Sequence, residues 1–539
     1  MWYNSSDSYE RTVANMAKKE NFMKGAFILI AANILVKVIG AGFKIPLTYL
    51  LNENGMALFT TSYTLYAWLF IIATAGMPVA ISRMISEARA KQNYGEVKKI
   101  FRVSLALLSA IGIIGACILY FGAGIFAETI ATQNAKYSIM AIAPAMLFVS
   151  LMSAYRGFFQ GHQDMYPTAV SEVSEAVAKL AIGYFAAYQL LDYGVKYAAA
   201  GAVFGVSMSG LIGFLVLFVI YNIRKKDLYS GTSRGFVRTD KSILRELVAI
   251  AVPITIGASV FSLTSLIDMS MIMRNLRHIG FSEKQAEFLW GSYSGYAIPL
   301  FNLPPTIVTS ISISIVPAIS GAFALGDKPT ARSVTGNSLL VTIIFALPCA
   351  VGMSLLAKPI LEFVYHNTNA ASTLSILGIA VLFVSLVLVT NAVLQSVGKE
   401  RIPVRNMIIG GVVKVIANFV LVRHPDININ GAPIGTNLCY AIILVLNLYY
   451  IRRELSMRFS AVQYIVKPLI CAAVMGAAAV AIYSLIGSAG NSAALIAAIA
   501  GAAAVYAVML VATKTINREL LALIPGGEKL IPILNGFIK

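Results

Sequence analysis

The chain contains few charged residues and few cysteines for its length. Asp, Glu, Lys and Arg together account for 12% of 539 residues, whereas hydrophobic residues account for 58% and the mean hydropathy is +0.77. Soluble domains carry about 25% charged residues, so this composition excludes a soluble globular protein and indicates an integral membrane protein. The four cysteines are scattered through apolar runs, which argues against a disulfide framework or a cysteine metal site.

Signatures of catalysis, cofactor binding and secretion are also lacking. The sequence contains no phosphate-binding loop, no zinc-protease motif and no nucleophile elbow, and its predicted outer loops are short. We therefore expect no enzymatic activity, no catalytic residue, no cofactor and no metal. Residues 1–21 lack an apolar core followed by a cleavage site, so we expect the first membrane span, rather than a cleaved signal peptide, to direct insertion.

Apolar runs that approach the roughly 20 residues needed to cross a bilayer recur along the whole chain. We predict an all-α polytopic membrane protein with about fourteen transmembrane helices. The predicted spans are 25–50, 57–85, 101–121, 137–155, 168–190, 197–222, 246–273, 293–320, 333–356, 373–396, 404–422, 432–451, 465–486 and 493–513.

Two stretches of the chain repeat each other. Residues 147–179 and 382–414 both begin with LFVSL, and at a shift of 235 residues Lys179 falls on Lys414. Such self-similarity predicts an internal duplication. We infer two six-helix lobes in parallel repeat followed by two added C-terminal helices, because an even number of helices leaves both copies in the same orientation.

The duplication predicts an N-terminal lobe at 1–223, a cytoplasmic linker at 224–245, a C-terminal lobe at 246–451, and the last two helices with a cytoplasmic tail at 452–539. Lys and Arg lie mostly in alternate loops on one side, which the positive-inside rule assigns to the cytoplasm together with both termini. This bias explains most of the net charge of +18, so nucleic-acid binding is not expected. The basic linker either contacts anionic headgroups or is a plain solvated loop.

The first predicted helix carries a polar stripe. At about 100° per residue, Asn33, Lys37 and Lys44 fall within a narrow arc of that helix. A cation that faces lipid at the helix centre costs roughly 2.5–3.5 kcal/mol. We therefore expect the stripe to face a wet cavity, and pairing of the cations with an internal acid is the alternative.

Few acids are available for such pairing. Glu172, Glu175 and Lys179 share one face of the fifth predicted helix, and Glu175 precedes Lys179 by four residues, so we expect these charges to offset one another. Asp268 lies deep in the seventh predicted helix. This carboxylate either pairs across the lobe interface with a cation of the first lobe or lines the cavity alone.

Gly and Pro interrupt two of the predicted helices. Gly76 and Pro78 in the second span and Pro304-Pro305 in the eighth predict bent segments that line a central path. Gly201 and Gly205, four residues apart in the sixth span, instead predict close packing between helices.

Several runs resemble a known family. The segments KGAFILIAANILVKVIGAGFKIPL, ATAGMPVAISRMISEARA, YRGFFQGHQDMYPTAVSEVSEA and AIPLFNLPPTIVTSISISIVPAIS are similar to the polysaccharide-flippase branch of the multidrug/oligosaccharidyl-lipid/polysaccharide (MOP) exporter superfamily. Within that branch the chain most resembles the stage V sporulation protein B group and the MurJ-type lipid II flippases. The resemblance covers essentially the whole chain and is strongest over residues 24–180.

The resemblance implies a two-lobed, fourteen-helix MATE-like fold. It also implies alternating-access transport of an undecaprenyl-pyrophosphate-linked peptidoglycan precursor, or a related lipid-linked oligosaccharide, for cell wall or spore cortex synthesis. In that family, first-helix cations face the cavity and hold the pyrophosphate; the matching positions are Lys37 and Lys44, with Arg83 as a counterpart in the second helix. MurJ-type proteins often carry a cation in the eighth helix, whereas residues 295–303 have none, which favours the sporulation-type group.

Two other functions are left open at this stage. A cation-coupled multidrug exporter of the same superfamily would be expected to show deep acids where the first helix here has lysines. A non-transporting scaffold for envelope assembly is the third reading. The expected partners are a lipid-linked pyrophosphate oligosaccharide, membrane lipids and proteins of cell-wall or spore-cortex synthesis, and the expected location is the cell membrane.

Overall fold

The computed structural model describes residues 5–74, 76–130, 133–229, 236–457, 460–487 and 490–515, with the backbone alone at 5–31 and at scattered later positions. Within these ranges the chain is almost entirely helical and has no strand, which confirms the predicted all-α class.

Seventeen α-helices occur in the part of the chain that the structure describes, together with π-helical turns at Ser292–Ala297 and Val462–Val466. They are α1 (Ser5–Thr74), α2 (Met77–Ala90), α3 (Tyr94–Ile130), α4 (Lys136–Gly161), α5 (Tyr166–Leu190), α6 (Val195–Leu228), α7 (Asp240–His278), α8 (Glu283–Gly291), α9 (Ile298–Phe301), α10 (Leu303–Ala324), α11 (Lys328–Leu355), α12 (Ala357–Tyr365), α13 (Ala371–Ser396), α14 (Arg401–Leu421), α15 (Gly431–Leu455), α16 (Lys467–Ile486) and α17 (Asn491–Ala512).

The first two predicted spans are divided at two points. Asn52 within α1 is non-helical, with φ of 53° and ψ of −171°, a backbone region that Asn adopts more readily than most residues. The helix then ends at Thr74, and α2 begins at Met77 with Pro78 in its first turn. Proline is well placed there because the first N–H groups of a helix have no intrahelical acceptor, and the predicted break near Gly76 is confirmed.

The eighth predicted span is interrupted as well. A π-helical turn at Ser292–Ala297 leads into the four residues of α9, and α10 begins at Leu303 with Pro304 in its first turn. Single π-helical turns are rare and frequently occur at functional sites. The predicted interruption is therefore confirmed, whereas its place beside a central path stays a prediction.

Nine helical segments among the described residues are long and apolar enough to cross a membrane, and they involve α3, α4, α6, α11 and α13 to α17. With the apolar composition, these segments make the chain a multi-pass membrane protein. The total of fourteen spans stays a prediction, because α1, α7 and α10 include side chains outside the described residues.

The duplication is visible in the positions of the helices. α4 runs from Lys136 to Gly161 and α13 from Ala371 to Ser396, so both ends recur 235 residues later. The helices that follow also pack in the same order. α3 packs on α4, α4 on α6 and α5 on α6, as α11 packs on α13, α13 on α15 and α14 on α15.

The chain divides into two compact units, Met1–Met269 and Ser270–Lys539. α7 begins in the first unit and ends in the second. The division predicted at the linker, residues 224–245, lies upstream of this boundary and stays a prediction.

Close contact between α5 and α6 depends on glycines in the first unit. A Cβ atom on Gly205 would lie 2.1 Å from Cα of Gly183, and one on Gly201 would lie 2.7 Å from the carbonyl oxygen of Ala186. No larger residue fits at either place without separating the helices. The packing role predicted for Gly201 and Gly205 is thus confirmed.

Candidate functional site

Two of the predicted cavity cations lie on α1, which packs against α4, α5 and α6. Lys37 is exposed, and Lys44 is half-buried between the buried side chains of Phe43 and Leu47. Seven residues correspond to nearly two helical turns, so the two ammonium groups project from the same side of the helix. The side chain of Asn33, the third member of the predicted stripe, lies outside the described residues.

Arg83 lies on the exposed face of α2. Its Nε donates a hydrogen bond of 3.0 Å to Oε1 of Glu87, one turn further along the same helix. Exposed pairs of this kind contribute about 0–1 kcal/mol. The carboxylate therefore holds Arg83 only weakly, and a stronger anion can displace it.

The acids of α5 are arranged differently from the prediction. Oε2 of Glu175 accepts a hydrogen bond of 3.2 Å from Nη2 of Arg156 on α4, and Lys179 forms no ion pair with any described residue. The prediction that Glu175 and Lys179 offset each other was wrong. A guanidinium that reaches across from another helix offers a rigid donor fork, which competes well against a flexible ammonium on the same helix.

Arg156 gathers further groups from three other helices. Its Nη2 also donates to Oγ of Ser171 at 3.3 Å, and that hydroxyl donates to the carbonyl oxygen of Gly213 on α6 at 3.2 Å. Tyr66 of α1, which is buried, interacts electrostatically with Glu175 and Arg156. We call Arg156, Ser171, Glu172 and Glu175 the α4–α5 cluster.

Two charged groups of this cluster are incompletely bonded within the described chain. Oε2 of Glu172 and Nε of Arg156 are both buried, and neither has a hydrogen-bond partner among the described residues. A buried polar atom without a partner costs about 1–3 kcal/mol. Ionisable groups at membrane depth that are retained at such a cost are candidates for function.

Arg156 was missed by the sequence reasoning. It lies five residues before the end of α4, and Ser171 lies five residues after the start of α5. Residues equidistant from a short turn between antiparallel helices can face each other. This spacing, read together with the acids of α5, was the available signal.

The remaining predicted acid is Asp268 of α7, which is 7% exposed and has an interaction partner. Its role in a cavity stays a prediction. No group of three or more His, Cys, Asp or Glu side chains that could hold a metal ion occurs within the described ranges.

A charged strap connects the linker to the first unit. Arg238, just before α7, forms ion pairs with Glu96 at the start of α3 and with Glu246 in α7. Nearby, Nζ of Lys99 lies 3.1 Å from Oδ1 of Asp240. These pairs fix the first turns of α7 to α3, so at Arg238 the linker is bound by protein carboxylates.

The second unit carries a neutral network where the first carries the α4–α5 cluster. Nδ2 of Asn447 donates to Oδ1 of Asn391 at 2.8 Å, and Nδ2 of Asn406 donates to Oδ1 of Asn447 at 2.8 Å. At the shift of 235 residues, Asn391 corresponds to Arg156 and Asn406 to Ser171. The same meeting point of three helices is therefore built from amides.

An apolar cavity of about 350 Å³ lies within the second unit, between α11, α13, α15 and the start of α16. Its walls include Leu339, Leu347, Leu382, Leu444, Tyr464 and Leu469. Almost no polar surface lines it, so it suits a hydrocarbon ligand.

Comparison with known families follows from this architecture. The family model "Polysaccharide biosynthesis protein" matches residues 22–323, which is more than half of the chain. The chain belongs to this family. A second model, MatE, matches residues 293–420 of this polysaccharide biosynthesis protein.

Named relatives extend over most of the family member described here. Lipid II flippase MurJ of Bacillus subtilis (strain 168) is 27% identical over 478 residues, which cover 85% of this chain and 87% of the relative. Stage V sporulation protein B of the same organism is 26% identical over 451 residues, covering 83% and 86%. The predicted resemblance to both groups is confirmed.

Solved structures show the same fold. An inward closed conformation of the lipid II flippase MurJ has a TM-score of 0.68 at 16% identity and covers 90% of this chain and 98% of its own. An inward-facing MATE family multidrug transporter of the MOP superfamily has a TM-score of 0.67 at 13% identity, covering 80% and 98%. The chain is therefore a membrane transporter of the MOP superfamily, whose named members are transporters and flippases rather than enzymes.

Proposed function

We propose that the protein is a flippase for an undecaprenyl-pyrophosphate-linked precursor, either lipid II or a related oligosaccharide used in cell wall or spore cortex synthesis. The observation that carries this proposal is the placement of Lys37 and Lys44 on one side of α1, in a chain related to a lipid II flippase. A pyrophosphate presents about two negative charges, and charge-assisted hydrogen bonds to phosphate are among the strongest in proteins.

Electrostatics supports an anionic cargo. Two lysines facing hydrocarbon would each cost roughly 2.5–3.5 kcal/mol, whereas two lysines in a wet cavity stay solvated until an anion arrives. The ammonium groups then offset the pyrophosphate charge while it crosses the region of low dielectric. Arg83 is a third contact, because its surface pair with Glu87 is easily exchanged.

The apolar cavity of the second unit supports a lipid cargo. We propose that it receives part of the polyprenyl tail, since α16 forms one of its walls and α16 and α17 were expected to flank a lipid groove. Each buried methylene contributes about 0.8 kcal/mol, so even a short stretch of the tail adds appreciable affinity. In this proposal both termini are cytoplasmic, and transport runs from the inner to the outer leaflet by alternating access.

Flipping of fluorescent lipid II by the full-length protein in proteoliposomes tests the proposal. Lys37→Ala and Lys44→Ala should each slow the initial rate at least tenfold. A hydrogen bond to a charged group is worth about 1.5–3 kcal/mol, and 1.4 kcal/mol corresponds to a factor of ten. Lys358→Ala is the matched control, because Lys358 is an exposed lysine of α12 and should change nothing.

Two outcomes would contradict this assignment. Flipping at the wild-type rate by both variants would remove the two lysines from the site. Loss of both variants from the membrane at normal synthesis rates would show instead that the lysines hold the fold.

A cation-coupled multidrug exporter is the second candidate, favoured by the MatE match over residues 293–420. Proteoliposomes loaded with a lipophilic cation such as ethidium distinguish the two functions. Export of ethidium without flipping of lipid II would replace the flippase proposal, and flipping without export would support it.

A further inference from the structure

The first unit holds four charged side chains where the second holds one. The charged set is Arg156, Glu172, Glu175 and Lys179. The counterparts at a shift of 235 residues are Asn391, Met407, Gly410 and Lys414. Because the helices correspond end for end, this is a difference of chemistry at a common place.

Joining three helices does not require these charges. In the second unit, the amides of Asn391, Asn406 and Asn447 tie α13, α14 and α15 together with bonds of 2.8 Å. Neutral amides achieve this without the desolvation penalty of buried ions. The charges of the first unit therefore call for an explanation other than helix packing.

The two glutamates of the cluster are not equivalent. Glu175 is held by Arg156 at 3.2 Å, whereas Oε2 of Glu172 is buried without a hydrogen-bond partner among the described residues. Both sense the same guanidinium, and each carboxylate repels the other. When one of two neighbouring carboxylates takes up a proton, it is the one with the weaker hold on the cation.

We propose that Glu172 binds and releases one proton during the transport cycle, while Glu175 stays paired with Arg156. On uptake, a proton from water forms an O–H bond with a carboxylate oxygen of Glu172, and on release it returns to water. This inference rests on the proposed function, because it describes how the charge of the same unit responds to its cargo.

The surroundings of Glu172 set the charge balance. Arg156 faces it from α4 and Tyr66 approaches the cluster from α1, whereas no titratable side chain of α6 interacts with it in the described region. Glu175 and Lys179 lie on its own helix. With Glu172 ionised, the two cations and two acids cancel, and with Glu172 protonated the set carries one positive charge.

That extra positive charge favours an anionic cargo in the first unit. Binding linkage is reciprocal, so a bound pyrophosphate must in turn favour protonation of Glu172. Cargo binding is thereby expected to draw a proton from solution, and release of the cargo is expected to return it.

Proton uptake can be measured directly. Full-length protein in weakly buffered detergent solution, with a pH indicator present, is mixed with undecaprenyl pyrophosphate. The wild-type protein should take up a proton on binding, Glu172→Gln should bind the lipid and take up none, and Glu172→Asp should retain uptake. Glu362→Gln, at an exposed glutamate of α12, should behave as wild type. Equal uptake by the wild type and Glu172→Gln would overturn the proposal.

A second measurement does not depend on the cargo. Infrared difference spectra of the protein alone, recorded from about pH 5 to about pH 9, should contain a protonated carboxyl band that is missing in Glu172→Gln. If undecaprenyl pyrophosphate does not bind, the proposed function fails while this band still decides the proton site. Should Glu172→Gln not be recovered from membranes, Glu172→Met introduces the residue found at the corresponding position 407, and an unchanged band in either variant would contradict the inference.

Discussion

In the first unit, α4, α5 and α6 meet at a guanidinium and a carboxylate, whereas in the second unit α13, α14 and α15 meet at asparagine amides. The helix ends correspond at one constant shift, and the packing pairs are the same. Arg156 and Asn391 occupy equivalent positions. The comparison teaches that the shared helical frame is indifferent to the charge at this point, so the charge in the first unit serves a purpose specific to it.

Space as well as chemistry separates the two units. At the position equivalent to Glu175, the second unit has Gly410, where a Cβ atom would lie 2.5 Å from Cγ1 of Ile443 and 3.0 Å from the carbonyl oxygen of Cys439. α14 and α15 are thus too close to admit a side chain. The first unit instead has a Glu side chain at this position, and that side chain meets Arg156.

The largest expected effect comes from forcing the first unit's chemistry into the second. Gly410→Glu places a charged side chain where a Cβ alone already clashes with Ile443, and we expect the yield of folded protein to fall at least tenfold. Fluorescence-detected size-exclusion chromatography of solubilised membranes measures this yield. Gly352→Ala is the control, since no atom lies within 4 Å of a Cβ at Gly352. A normal yield of Gly410→Glu would show that α14 and α15 separate easily.

A smaller effect is expected from removing the two equivalent residues one at a time. Arg156→Gln leaves Glu175 partly buried without its cation and should lower the free energy of unfolding by about 1–3 kcal/mol, whereas Asn391→Ala removes one neutral hydrogen bond and should cost about 1 kcal/mol. Thermal unfolding in detergent compares the two variants.

The double variant Arg156→Gln with Glu175→Gln sharpens this test. It removes the unpaired carboxylate, so it should recover much of the stability that Arg156→Gln loses. Equal losses in the single and double variants would mean that the pair of Arg156 and Glu175 is not coupled.

The sequence predicted elements well and tertiary pairs poorly, for physical reasons. Apolar runs and proline mark helices directly, so α4, α5 and the break before Met77 were placed correctly. The partner of Glu175 was not, because spacing along one helix reports only neighbours on that helix. The short amphipathic α12 was also missed, since its nine residues are too few to form a membrane span.

The strap before α7 offers a third comparison. In the first unit the start of α3 is tied down by ion pairs of Arg238 with Glu96 and Glu246, whereas in the second unit Nε of Arg332 in α11 donates to the carbonyl oxygen of Leu455 at 2.5 Å. Ion pairs at partly exposed positions are screened by salt, and a hydrogen bond to a backbone carbonyl is much less so.

Proteolysis measures that difference. We expect Arg238→Ala to speed cleavage of the linker, residues 224–245, severalfold, and about 1 M salt to produce part of the same acceleration in the wild type. Arg332→Ala should leave cleavage of the linker unchanged. A rate that does not respond to salt would show that the strap is held by contacts other than its ion pairs.

The smallest expected effect concerns the residues that follow α4 and α13. His162 and its counterpart Val397 are both buried, but only His162 can take up a proton. Its Nδ1–H donates to the carbonyl oxygen of Phe158 at 2.9 Å, and burial, with a smaller contribution from Arg89, lowers the pKa of the imidazole. The folded protein therefore holds His162 neutral.

The sign of the pH effect follows from that lowered pKa. Above the ordinary histidine pKa of about 6.5, the imidazole is neutral in both the folded and the unfolded chain and contributes no pH dependence. As the pH falls below that value, the unfolded chain binds a proton before the folded chain does, so stability decreases. His162→Val, which copies the second unit, should remove this part of the loss in melting temperature between pH 7.5 and pH 5.5. His278→Gln, at an exposed histidine, should leave the loss as it is, and an equal loss in all three proteins would mean that His162 titrates normally in the folded state.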